Sequence, residues 1–375
     1  MKDSMFRAGI CAVLFLVQAQ AASASNQLFE NSIHSPLIDL IQGAKQSIDV
    51  EIYTMNDDQV RNELQNALER GVKLRIVQEP APVGVSCRIF GSPASKDNAL
   101  CTAERDFKDY VVSNGGEYVP FNKGLCGTPN SNCFEHGKMV IVDGSQIMLS
   151  TGNFDPTSIC DAAANPANCN RDYSIVTDQF TVVQQLSTIF ENDLKGVASD
   201  LTNLDPSINV SPNSMTPILN FIKSAQKTLI LENQYLQDAT MNQALVDAAK
   251  RGVAIKVMVA SACSYGKPSK SDSSKWQKNY STFETAGIES RAFTGTQTIN
   301  GFKGYLHAKA MVADGVRAWV GSVNGSTTAI SDNREFGLFF NDADLVAQLN
   351  DYLTSDFNDP NSETWQESLD CTKDY

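Results

Sequence analysis

Histidine is scarce in this chain, with three in 375 residues. Any chemistry that needs imidazole must therefore use His34, His136 or His307. Basic charge is also short: 30 Lys and Arg against 43 Asp and Glu leave a formal net charge of -13. Diffuse attraction to DNA or RNA needs a basic footprint, so the balance disfavours nucleic acid as a partner, although a local basic pocket can sit on an acidic protein. There is no C-x-x-C pair of the kind that holds zinc, and most cysteines have no histidine nearby. No G-x-S-x-G elbow, phosphate-cradling P-loop or G-x-G-x-x-G turn occurs, which sets aside three common nucleophile and nucleotide sites.

Long apolar runs are missing too, and the one short run lies at the start. Lys2 and Arg7 precede the apolar stretch Ala8 to Val17, and small residues then end in Ala22-Ser23-Ala24. This has the form of a signal peptide, so residues 1–24 are expected to be removed after Ala24 and the mature chain to be secreted or periplasmic. The run is too short to span a bilayer. Cys11 would leave with it, and the even set Cys87, Cys101, Cys126, Cys133, Cys160, Cys169, Cys263 and Cys371 then reads as disulfides in an exported chain. Their connectivity stays open, with Cys126–Cys133 and Cys160–Cys169 closing the shortest loops.

What is present is a repeat. Residues 35–77 and 216–259 follow the same course at an offset of 181. Pro36 aligns with Pro217, Glu51 with Glu232, and Arg70-Gly71-Val72 with Arg251-Gly252-Val253. Leu37, Ile38, Ile41 and Ala44 have helical spacing, Ile48 to Tyr53 is strand-like, and Leu64, Ala67 and Leu68 mark a second helix that Gly71 stops. Helices alternating with short apolar strands imply an α/β fold. The expected architecture is two similar α/β sandwich halves, an internal duplication packed around a pseudo-twofold axis with the active site between them. The halves are placed at about 25–200 and 210–375, joined through the Pro-, Asn- and Ser-rich stretch from Thr177 to Asn213.

Each half carries the same chemical motif. His136-x-Lys138 and His307-x-Lys309 are followed by Asp143 and Asp314 at a spacing of 7, and by Asn153 and Asn324 at a spacing of 17. Asn170-Arg171-Asp172 and Asn333-Arg334-Glu335 come next. In a strand, side chains at i and i+2 share a face, so each imidazole points with its ammonium. Cleaving a phosphodiester needs cations for the non-bridging oxygens, a nucleophile in line and an acid for the leaving oxygen. Two lysines meet the first need. Two histidines meet the others, provided that the halves face each other. A zinc site does not suit a histidine whose neighbour on the same face is a lysine, and no metal or other cofactor is expected.

The paired His-x-Lys-x4-Asp motifs and their small-residue turns, Gly152-Asn153 and Gly321-Ser322-x-Asn324, resemble the signature of the phospholipase D superfamily over nearly the whole mature chain. The resemblance implies a reaction through a phosphohistidine, without metal. His136 is the implied nucleophile and His307 the general acid, because the first-copy histidine usually attacks in that family; the residues themselves do not distinguish them. By the same resemblance Lys138, Lys309, Asn153, Asn324 and Ser322 hold phosphate oxygens. Asp143 and Asp314 belong to the catalytic signature but sit at Asp-Gly turns that suit a structural role. Asp172 and Glu335 are candidates to orient the imidazoles crosswise between the halves. The turn Ser150-Thr151-Gly152-Asn153 leaves Ser322 without a match in the first copy.

The leading expectation is a phospholipase D releasing phosphatidate at a phospholipid membrane surface, with an apolar rim drawn from Phe121, Leu125, Phe134, Trp276, Phe283 and Phe302. A nuclease, a phosphatidyltransferase and an inactive head-group-binding module are the alternatives. Both motifs are complete, which argues against the last. Both also lie in one chain, so a monomer is expected.

Overall fold

The computed structural model describes residues 25–82, 89–90, 99–128, 133–160, 169–264, 268–294 and 304–371. In the first half the order is β1 (Asn26–Glu30), α1 (Leu37–Gly43), β2 (Ser47–Ile52), α2 (Asp58–Glu69), β3 (Lys73–Gln78), α3 (Ala99–Ser113), β4 (Glu117–Pro120), β5 (Lys138–Val142), β6 (Gln146–Ser150), β7 (Tyr173–Thr177) and α4 (Phe180–Leu194). The second half runs β8 (Ile208–Ser211), α5 (Met215–Ser224), β9 (Thr228–Asn233), α6 (Ala239–Lys250), β10 (Ala254–Ala260), α7 (Lys270–Thr285), β11 (Glu289–Phe293), β12 (Lys309–Ala313), β13 (Arg317–Gly321), α8 (Thr327–Ser331), β14 (Glu335–Phe340), α9 (Ala343–Asn358) and β15 (Glu363–Thr364).

The two sheets have one topology. The first is ordered β1-β7-β6-β5-β2-β3-β4, and the second repeats it as β8-β14-β13-β12-β9-β10-β11 with β15 added at the edge. In each, the helix-linked strands are parallel and the motif-bearing hairpin is antiparallel to them. Local signals repeat as well. Asp57 caps α2 by accepting the Val60 N–H, and Asp238 caps α6 by accepting the Met241 N–H. Gly71 and Gly252 stop those helices with φ of 86° and 94°, a backbone region that favours glycine.

The apolar residues sort into three main cores. Outer cores lie under α1 to α3 on one sheet and under α5 to α7 on the other. The third is shared by the inner faces of both sheets and by α4 and α9. Strand β5 shows the division at period two: Met139 and Ile141 enter the shared core, while Val140 and Val142 face the outer one. The sheets are therefore packed face to face by apolar burial, which brings the start of β5 and the start of β12 to one seam.

The connector is shorter than the sequence suggests. Val182, Val183, Leu186, Ile189 and Phe190 form the buried face of α4, and β8 already begins at Ile208. Proline and asparagine mark only the segment 195–207 that lies between these elements. Three disulfides are described: Cys126–Cys133, Cys160–Cys169 and Cys263–Cys371, and Cys101 is also disulfide-bonded. The two short-loop pairs are those that the spacing favours. Cys87 and the segment 1–24 lie outside the described residues.

Below the seam, two buried ion pairs cross between the halves. Arg171, just before β7, grips Asp356 of α9, with Nε–Oδ2 2.6 Å and Nη2–Oδ1 2.8 Å. Arg334, just before β14, grips Asp193 of α4, with Nε–Oδ2 2.8 Å and Nη2–Oδ1 3.0 Å. Removing one partner of such a pair strands a buried charge. Arg334→Met should therefore cost about 3–5 kcal/mol of stability, read from the denaturant midpoint. Arg334→Met with Asp193→Leu should recover much of that loss.

Candidate active site

His136 and His307 are placed by backbone pairing across the seam before their side chains are considered. The His136 N–H donates to the Arg334 carbonyl at 2.8 Å, and the Arg334 N–H donates to the Phe134 carbonyl at 2.9 Å. The same pair of bonds recurs in the other direction, from His307 N–H to Arg171 O at 3.1 Å and from Arg171 N–H to Tyr305 O at 3.0 Å. Each histidine strand is thus bridged to the segment that carries the opposite half's carboxylate.

The side chains follow. His136 Nδ1 lies 2.9 Å from Glu335 Oε2, and His307 Nδ1 lies 3.0 Å from Asp172 Oδ1. Crosswise pairing at Nδ1 leaves each Nε2 without a protein partner among the described residues, the arrangement needed for attack or proton transfer. The carboxylates are themselves held. Asp172 accepts from Thr151 Oγ1 at 2.6 Å and Ser158 Oγ at 2.8 Å, while Glu335 accepts from Asn333 Nδ2 at 2.9 Å. Burial pushes the Asp172 carboxyl up, but His307, Lys309 and Thr151 outweigh it and hold the group below its ordinary range.

Lys138 and Lys309 are fully buried. Lys138 Nζ bonds the His136 carbonyl and lies 3.1 Å from His136 Nδ1; Lys309 Nζ bonds the His307 carbonyl and reaches Thr151 O at 3.2 Å. Burial pushes Lys138 down to about 8, against the pull of Glu335 and Glu135. It pushes Lys309 down to about 7, against Asp172. Burial also lowers His136 to about 4, and His307 is lowered by burial and by Lys309. Each lysine acts on the other half's histidine, so the two motifs share one electrostatic site. A site in which burial disfavours every cation favours a bound anion.

The remaining sequence candidates divide. Asn153 and Asn324 stand at the ends of the turns after β6 and β13, and the side-chain oxygen of each is buried without a protein partner. An amide oxygen only accepts, so these two atoms are open to a donor such as a hydroxyl, while the NH2 group of each amide is the part that could meet a phosphate oxygen. Gly152 is required beside Asn153, because a Cβ there would lie 2.6 Å from Asp172 Oδ2. Ser322 is a correction. Its hydroxyl accepts the Phe336 N–H at 3.0 Å and donates to the Phe336 carbonyl at 3.3 Å, so it braces β14. Nor is it unmatched: Thr151, at the motif offset of 171, accepts the Tyr173 N–H at 2.9 Å.

Asp143 and Asp314 are also corrected. They occupy the far ends of β5 and β12 from the histidines, with φ of 53° and 55° in the hairpin turns. Asp143 accepts the N–H groups of Lys45, Gln46 and Ser47; Asp314 accepts those of Gln226, Lys227 and Thr228. Each ties the turn to the start of its central strand, and neither touches the reacting end. Of the supposed apolar rim, Phe121 and Phe283 are core residues, Trp276 packs on the second outer core and Leu125 on the shared core. Phe302 lies outside the described residues. Phe134 lies 6.0 Å from Tyr53, whose ring is 4.7 Å from that of His136.

Sequence reasoning missed the groups beneath the site. Glu51 of β2 and Glu232 of β9 are fully buried, and burial together with Asp193 or Asp356 pushes each carboxyl well up. Their signal was a carboxylate kept at one repeat position inside an apolar strand.

Comparison with known proteins follows from this geometry. A family model described as cardiolipin synthase, PLD-like domain, matches residues 37–194 and 218–357. The chain belongs to the phospholipase D superfamily. A probable cardiolipin synthase of Bacillus subtilis is 26% identical over 340 residues, covering 84% of this chain and 62% of that protein. A cardiolipin synthase of Listeria monocytogenes is 24% identical, covering 85% of this chain and 66% of its own. The chain thus spans just under two thirds of these relatives. Among solved structures, a phosphatidylserine synthase of Haemophilus influenzae has the same fold, with a TM-score of 0.65 at 10% identity over 93% of this chain and 89% of that one. A polyphosphate kinase of Porphyromonas gingivalis gives 0.61 at 15% identity, over 89% of this chain and 51% of its own.

If the crosswise carboxylates orient the imidazoles, Asp172→Asn and Glu335→Gln should each lower phosphodiester turnover by about a hundredfold or more. Folding should be retained. Wild-type turnover in either variant would show that the pairs are only structural.

Proposed function

We propose that this chain is an exported phosphatidyltransferase of the phospholipase D type, moving the phosphatidyl group of one glycerophospholipid onto an alcohol, with water as a competing acceptor. The observation that carries it is the pair of Nε2 atoms left unpartnered by crosswise carboxylates in an anion-seeking pocket. His136 Nε2 attacks phosphorus, the bond from phosphorus to the head-group oxygen breaks, and His307 supplies the proton that this oxygen needs. The acceptor alcohol then attacks phosphorus, its proton returns to His307, and the phosphorus–Nε2 bond breaks. Lys138 and Lys309 offset the charge on the non-bridging oxygens, with Asn153 and Asn324 as further contacts.

Likeness to cardiolipin synthases over 84–85% of the chain supports transfer over simple hydrolysis; since cardiolipin is two phosphatidyl groups on one glycerol, phosphatidylglycerol serves as both donor and acceptor in this reading. Export is supported by the Ala22-Ser23-Ala24 ending and by the disulfides, and no helix among the described residues is long and apolar enough to cross a membrane. The net charge of -13 weighs against a nuclease.

The test is lipid mass spectrometry after incubating the protein with phosphatidylglycerol vesicles in excess chelator. Cardiolipin and glycerol are expected, with some phosphatidate. His136→Ala and His307→Ala should each lower that yield by about a thousandfold or more. Phosphatidate alone would favour the hydrolase, and unchanged lipid with cleaved single-stranded DNA would favour the nuclease. His307 must enter as the imidazolium and Lys309 as the ammonium, and burial lowers both, His307 below its ordinary range and Lys309 to about 7, so kcat/KM should fall as pH rises, first as His307 loses its proton and then as Lys309 does. On the acid side it should hold until His136 protonates, near 4.

A further inference from the structure

Among the described residues the surroundings of the two motif histidines differ, and the difference ends in a cation. In the first half a row of part-exposed side chains leads inward from Lys123 through Phe134 and Tyr53 to His136. Lys123 Nζ lies 4.8 Å from the centre of the Phe134 ring, and Phe134 meets Tyr53 at 6.0 Å. Lys123 is also fixed from below. Its ammonium is 2.8 Å from Oε1 of Glu79, a carboxylate with no exposure at all. Glu79 in turn accepts the N–H groups of Ala81 at 3.0 Å and Glu135 at 2.9 Å, the latter being the residue before His136. Among the described residues the second half shows no matching pair: the repeat places Ala260 opposite Glu79 and Gln234 opposite Tyr53.

A carboxylate shared by two backbone donors does not fully balance the ammonium, which belongs to a side chain 39% exposed and has further N–H groups to donate. The lysine is held in place before anything binds, so an anion meeting it adds little ordering cost. Lys138 and Lys309 already serve the reacting phosphate. Where the acceptor is itself a phospholipid, its own phosphodiester must rest outside that pocket while its hydroxyl reaches phosphorus. We propose that Lys123 is a specificity-determining residue, binding the phosphodiester of an anionic phospholipid acceptor at the mouth of the site. This deepens, and rests on, the phosphatidyl-transfer reading.

The test compares two acceptors competing in the same phosphatidylglycerol vesicles: the lipid itself, giving cardiolipin, and dilute ethanol, giving phosphatidylethanol. Lys123→Met should lower the ratio of cardiolipin to phosphatidylethanol by about tenfold, as expected for losing one charged hydrogen bond at a half-exposed site. Lys123→Arg should restore most of it. If Lys123 only neutralises Glu79, both products fall together and the ratio stays, which overturns the proposal while leaving phosphatidyl transfer intact. An unfolded Lys123→Met variant shifts the decision to Lys123→Gln, read by the same ratio. No lipid product from the wild-type protein overturns both this inference and the transfer reading.

Discussion

Each of the two motif histidines is held by a carboxylate from the other half, and most of the architecture follows from that requirement. His136 leans on Glu335 and His307 on Asp172. Neither half alone has a fixed imidazole, and neither alone has two of them. The shared apolar core, the bridges from His136 to Arg334 and from His307 to Arg171, and the crossed ion pairs of Arg171 and Arg334 all hold the seam at which those contacts form. Apolar burial brings the sheets together, while the polar network fixes their register.

That network puts several charges out of water, which is costly unless they are paired. Bidentate arginines answer two aspartates, and Glu51 and Glu232 are pushed toward the neutral acid by burial beside them. The cations of the site are disfavoured in the same way, with Lys309 brought down to about 7 and Lys138 to about 8. An anion between the halves would relieve the strain on all four basic groups. Substrate affinity and structural tension are thus two sides of one burial.

The sequence disclosed the duplication, because an ungapped repeat at 181 residues and a paired motif spacing of 2, 7 and 17 leave little freedom. The two His-x-Lys strands and the possibility of crosswise carboxylates were legible on the same basis. Partners decided in three dimensions were not. Ser322 looks like a phosphate ligand in a motif, yet its hydroxyl closes on the Phe336 backbone, and Asp143 and Asp314 sit in the signature while capping the far ends of their strands. Helix α4 was obscured by the composition around it, although its apolar spacing was present. Glu79 and Lys123 carry no motif, and only the fold brings them to His136 through the Glu135 N–H.

The central claim is that both halves serve one phosphate, and a crystal soaked with vanadate tests it most directly. The account predicts a single vanadate bound between the two Nε2 atoms, its oxygens met by Lys138 and Lys309. Separate anions on each histidine, or one anion touching a single half, would contradict it.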